Sequence, residues 1–113
     1  MQTRSIEFRR LPAIESVQVV LEPTRYNNCV AIEGYLDLSP KAGNWSCWCL
    51  NISSDDDSWK VEVTIEHGTE NGGQTFRELQ SDSAMDFRQL IGSLNAAQQQ
   101  LMQLTVDDFA FTD

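Results

Sequence analysis

The chain has 113 residues, room for one domain with a core but not for two of ordinary size, and its 41% hydrophobic content argues against disorder. It carries 17 Asp and Glu against 8 Lys and Arg, a formal net charge of −9, and the imbalance is concentrated after residue 25. A negative field of that strength repels nucleic acid and anionic membrane and attracts basic proteins or cations, so direct nucleic-acid binding is not expected.

The first segment, 1–12, holds Arg4, Arg9 and Arg10 and builds no apolar run of the signal-peptide kind, and no stretch reaches the length of a membrane span. The expectation is a cytoplasmic protein that makes no membrane contact. Val17, Val19 and Leu21 then alternate with Gln18, Val20 and Glu22 ahead of Pro23, predicting a strand over about 14–22. From Cys29 to Leu38, Val30, Ile32, Leu36 and Leu38 oppose Glu33, Tyr35 and Asp37, the pattern of a half-buried strand. Ser39-Pro40-Lys41-Ala42-Gly43 closes it as a turn.

Residues 45–53 are apolar on both sides, with Trp45, Cys47 and Cys49 on one and Trp48, Leu50 and Ile52 on the other, and read as a central strand. Asp55-Asp56-Asp57-Ser58 interrupts as a polar turn. Trp59, Val61, Val63 and Ile65 then alternate with Lys60, Glu62, Thr64 and Glu66 in the cleanest strand pattern of the chain. Gly72-Gly73 marks a further turn before a shorter strand over 74–80, so 14–80 reads as an antiparallel meander of four to five strands.

The period changes after Ser83, which with Asp86 forms a variant of the capping box. Phe87, Leu90, Ile91, Leu94, Leu101 and Leu104 follow at helical spacing, predicting an amphipathic helix over 84–104 whose polar side is rich in Gln. The tail 105–113 mixes Asp107, Asp108 and Asp113 with Val106, Phe109 and Phe111. The expected fold is a single α+β domain with the C-terminal helix packed on one sheet face. Val30, Ile32, Leu36, Trp48, Leu50, Ile52, Trp59, Val61, Val63 and Ile65 form the covered face. The second face collects Glu33, Tyr35, Asp37, Trp45, Cys47, Cys49, Lys60, Glu62, Thr64 and Glu66, either open to a partner or covered by the N-terminal segment and tail.

Residue types that carry catalysis are scarce. His67 is the single histidine and sits in a turn-like setting, and a Cys-His pair with Cys47 or Cys49 would have to meet across the sheet without an oxyanion-stabilising glycine loop. Cys29, Cys47 and Cys49 lack the paired spacing of a zinc site, and Asp55-Asp56-Asp57 lacks the spacing of a calcium loop. No cofactor, metal or enzymatic role is expected. Without a signal peptide, the Asn44-Trp45-Ser46 and Asn51-Ile52-Ser53 sequons carry no weight.

Recognition is the remaining class. Acidic residues interleaved with aromatics supply a negative field for fast association and anchors for affinity. This selects Glu33, Tyr35, Asp37, Trp45, Asp55, Asp56, Asp57, Glu62 and Glu66 as partner-binding candidates. The order of elements from about Val17 to Leu104, with the acidic stretches Asp55-Asp56-Asp57 and Glu62 to Glu66, resembles the layout of bacterial toxin-immunity proteins. That resemblance implies a non-enzymatic inhibitor that occludes a toxin such as a basic nuclease. Two alternatives are a nucleic-acid mimic acting on a nucleic-acid-binding protein, and a self-assembling subunit that uses the uncharged glutamine side of the helix.

Overall fold

A computed structural model of the chain describes residues 4–11, 14–21, 28–36, 45–55 and 58–109. Among these described residues, six strands, one helix and a 3-10 turn follow in order: β1 (Arg4–Leu11), β2 (Ile14–Leu21), β3 (Asn28–Leu36), β4 (Trp45–Asp55), β5 (Ser58–Thr69), β6 (Gly72–Met85), α1 (Phe87–Met102) and the turn Val106–Phe109. β3 to β6 form an antiparallel four-stranded sheet in sequence order, with β4 and β5 at its centre. The fold is therefore α+β, with one C-terminal helix against an antiparallel meander.

Most of the predicted covered face is the observed core; the side chain of Leu36 lies outside those described, and Ile91 of the helix is only partly buried. Ile32, Trp48, Leu50, Ile52, Trp59, Val61, Val63 and Ile65 are buried together with Leu90, Leu94, Ala97 and Leu101 of the helix, and Val30 and Phe87 pack at its margin. Strand alternation places every second residue of β4 and β5 toward the helix, and helical spacing returns the matching side chains. The rings of Trp59 and Phe87, 5.7 Å apart between centroids, tie the first helical turn to β5.

Several boundaries differ from the sequence expectation: β4 runs to Asp55, the helix ends at Met102, and β5 continues to Thr69, so that His67 lies in a strand and not in a turn. Segment 1–12, to which no element was assigned, contains β1, which pairs with β2 from Arg4↔Leu21 to Leu11↔Ile14 as a separate two-stranded sheet. The meander is thus β3–β6 and does not begin at residue 14. Ile6 and Phe8 do alternate with Glu7 and Arg9, but in a short arginine-rich segment before Pro12 the period is easily overlooked. Phe8, Leu11 and Val19 of this hairpin enter the common core.

The last strand runs to Met85 instead of stopping near 80, and its register with β5 breaks between Trp59 and Val61, Val63 and Thr64, and Ile65 and Glu66. Each break scrambles the two-residue period that would have announced a long strand. Ala84, beside the first of them, has φ 55°, in the left-handed region.

The helix begins at Phe87, with Asp86 and not Ser83 as its cap. Asp86 Oδ1 accepts the Gln89 N–H at 2.7 Å, and the Asp86 N–H donates to Gln89 Oε1 at 2.9 Å. This reciprocal pair is a capping box with the preferred Gln at its third position, which Ser83–Asp86 lacks. At the other end, part of the acidic, aromatic tail folds back. The Thr105 N–H donates to Asp108 Oδ2 at 2.7 Å, and Phe109 is buried in the core.

Candidate functional site

The sheet face opposite the helix is best described by its register rows. Tyr35, Cys47, Glu66 and Thr75 form one; Glu33, Cys49, Thr64 and Glu78 the next; Ala31, Asn51, Glu62 and Ser81 the third; and Cys29, Ser53 and Lys60 the last. The rows bring Glu33, Glu62 and Glu66 together on one surface, as expected. Lys60 Nζ binds Glu62 Oε1 at 2.6 Å, and this contact raises the Lys60 ammonium above its ordinary value. Glu78, which also acts on the Lys60 charge, joins the same surface from β6. Sequence reasoning missed Glu78 because the broken register of β6 hides which face each residue takes.

The thiols in the middle of this surface are shielded. Cys47 is 1% and Cys49 4% exposed. Cys47 Sγ lies 3.9 Å from Glu66 Oε2, and Cys49 Sγ lies 3.9 Å from Glu33 Oε1. Burial, reinforced by the Glu66 and Glu33 carboxylates, pushes the Cys47 thiol up to about 12; burial and then Glu33 push Cys49 up to about 11. A thiolate beside these carboxylates would be a desolvated anion among anions, so both sulfurs stay protonated at neutral pH and are poor nucleophiles. Neither helps a Cys-His pair: Cys47 is opposite Glu66, and His67 is opposite Ser46, so alternation sets His67 on the other face.

Trp45, expected to anchor a partner, is engaged within the chain. Its indole Nε1 donates to the Thr69 carbonyl at 3.2 Å, and its ring covers Gly68 and Gly73, register partners in β5 and β6. A Cβ on Gly68 would come 2.5 Å from the indole and 2.5 Å from the Gly72 carbonyl, and a Cβ on Gly73 would overlap the indole as well. The two glycines are thus the floor on which the ring lies. Gly72, at φ 125°, meets the separate demand of the hairpin turn.

The tip of this hairpin forms a hollow of about 280 Å³ lined by His67, Gly68, Thr69, Gly72, Gly73 and Gln74. His67 Nε2 lies 3.2 Å from Gln74 Nε2.

Asp55 closes β4 opposite Ser58, so the chain reverses there as the acidic run predicts. Asp56 and Asp57 lie outside the described residues, as does Asp37, and Tyr35 is placed only by its strand position opposite Cys47. No group of three or more His, Cys, Asp or Glu that could hold a metal ion occurs among the described residues.

The glutamine-rich side of the helix is partly occupied. Ser93 Oγ donates to Asp82 Oδ2 at 2.6 Å, Gln80 Nε2 donates to Asp82 Oδ2 at 2.8 Å and to the Ser93 carbonyl at 3.0 Å, and Gln100 Nε2 donates to Gln80 Oε1 at 2.7 Å. This polar network seals α1 to β6 where the apolar core ends. No sequence period announces it, because its members come from two elements with different repeats.

Met102 is an exposed large apolar side chain, and among the described residues no helix is long and apolar enough to cross a membrane. The class defined by these elements is an α+β domain whose antiparallel sheet has one face under a helix and carries Glu33, Glu62, Glu66 and Glu78 at positions on the other. Comparison of the chain with protein-family models, curated proteins and solved structures finds no match.

Proposed function

We propose that this protein is a non-enzymatic binding module that uses the acidic sheet face to hold a basic protein, in the manner of an immunity-type inhibitor neutralising a toxin. One observation carries the reading: β3, β5 and β6 supply Glu33, Glu62, Glu66 and Glu78 to a common surface on which, among the described residues, Lys60 is the cation present. Clustered like charge on a rigid sheet raises the encounter rate with an oppositely charged partner and disfavours wrong ones. The protonated thiols between the carboxylates support a recognition surface over a catalytic one, since they add neither charge nor nucleophile. Trp45 serves this surface by bracing the β5–β6 hairpin beside it.

The test combines capture and kinetics. The tagged protein should retain one basic protein from lysate of its own source, in near-equal amount. The variant with Glu33→Gln, Asp37→Asn, Glu62→Gln and Glu66→Gln should associate with that protein about tenfold more slowly, with a weaker salt dependence and an unchanged urea midpoint. Unchanged association kinetics in the quadruple variant would remove the acidic face from the mechanism. Displacement of the partner by DNA or RNA would show that the face stands in for phosphates at a nucleic-acid site.

A further inference from the structure

The two edges of the four-stranded sheet are built differently. β6 breaks register with β5 three times and carries exposed Arg77 and Glu78, features that discourage another strand from adding there. β3 pairs with β4 without interruption from Asn28 to Leu36 and holds one charged residue, Glu33. Among the described residues no strand pairs with its outer side, since β1 and β2 form their own sheet. Antiparallel pairing uses the backbone groups of alternate residues, so about four residues of β3 direct their N–H and C=O outward.

We propose that the outer edge of β3 receives an extended segment of the basic partner, one in which Lys or Arg alternates with apolar residues. This rests on the acidic-face reading and adds how the partner attaches. A strand laid against β3 continues both faces of the sheet, because its side chains alternate as those of β3 do. On one face they stand beside Ala31 and Glu33, both exposed, on the side of the sheet that carries Glu62 and Glu66 on β5. Basic side chains fit there.

On the other face they stand beside Val30, which is only partly buried at the margin of the core, and Ile32. Apolar side chains there would complete the cover of Val30. A second copy of this chain fits poorly, because each copy carries a net charge of −9 and would bring its own acidic face alongside.

The probe is a synthetic peptide of about nine residues, matched to β3 in length, alternating Lys and Val. It is titrated against the isotopically labelled full chain while backbone amide shifts and hydrogen exchange are followed. Two analogues, N-methylated on one or the other set of alternate residues, keep the charge but each block one hydrogen-bonding edge. The proposal expects amides of 28–36 to shift and gain protection, and one of the two analogues to bind about tenfold more weakly, the equivalent of one or two lost hydrogen bonds. Equal binding by both analogues would overturn docking on the edge while leaving the acidic face attractive to cations. Failure of every basic peptide to bind would overturn both readings.

Discussion

Raising the pH above about 9 should strip stability from this protein faster than from its Cys47→Ala/Cys49→Ala variant. In the unfolded chain a thiol ionises near its ordinary value of 9.0, whereas in the fold burial and the Glu66 and Glu33 carboxylates move Cys47 to about 12 and Cys49 to about 11. The folded state therefore holds more protons than the unfolded state between these limits. The thiols' contribution is complete below pH 9 and is lost as the pH rises toward 11 and 12.

At about pH 10 each thiol has lost roughly one pKa unit's worth of stabilisation, about 1.4 kcal/mol, and because both are still protonated in the fold at that pH the losses add to about 3 kcal/mol for the pair. Urea midpoints of both proteins across this range measure it, and groups common to the two, Cys29 and the lysines and tyrosines, cancel in the difference. The cavities left by alanine shift the variant's stability at every pH but not the slope. A second readout is alkylation near pH 8, where protonation alone should slow Cys49 about 100-fold relative to a free cysteine, and Cys47 more. Parallel pH profiles, together with labelling at the rate of a free thiol, would refute the argument that the carboxylates and burial hold these protons.

Other perturbations test the packing. Leu94→Ala and Val63→Ala, both fully buried between helix and sheet, should destabilise by about 2 to 5 and about 1 to 3 kcal/mol in urea unfolding. Losses under about 0.5 kcal/mol at both would mean that the faces are reversed. Gly73→Ala should force the Trp45 indole off the β5–β6 hairpin, costing about 1 to 3 kcal/mol and changing the tryptophan emission spectrum, whereas Gly92→Ala, where an added Cβ meets nothing within 4 Å, should stabilise slightly. Ala84→Gly, which relieves a left-handed alanine at φ 55°, should raise the unfolding midpoint by an amount equivalent to about 1 kcal/mol.

The elements with an unbroken period were legible from the residues alone. β5 declares itself by strict alternation from Trp59 to Glu66, and the helix by Leu90, Leu94 and Leu101 at helical spacing. Because burial on one face enforces such periods, the same residues also named the core: Trp48, Leu50, Ile52, Val61, Val63 and Ile65 are all buried in the structure. The charge imbalance and the alternate positions of Glu62 and Glu66 along β5 were equally visible, since charged side chains take the positions opposite the core.

What the tertiary structure decided lay where periods fail or where two elements meet. The register breaks of β6 conceal its length and the facing of Glu78. The Asp82–Ser93 and Gln80–Gln100 contacts join a strand to a helix through residues that no single repeat relates. The role of Trp45 depends on two glycines about 25 residues away that a hairpin folds beneath its ring. The shielding of Cys47 and Cys49 likewise depends on which carboxylates the register sets against them. Pattern along the chain specifies the faces, because each element must bury one side. Only pairing between elements specifies the neighbours, and here the neighbours turned an apparent aromatic and thiol seam into a braced hairpin and two protonated sulfurs beneath an acidic surface.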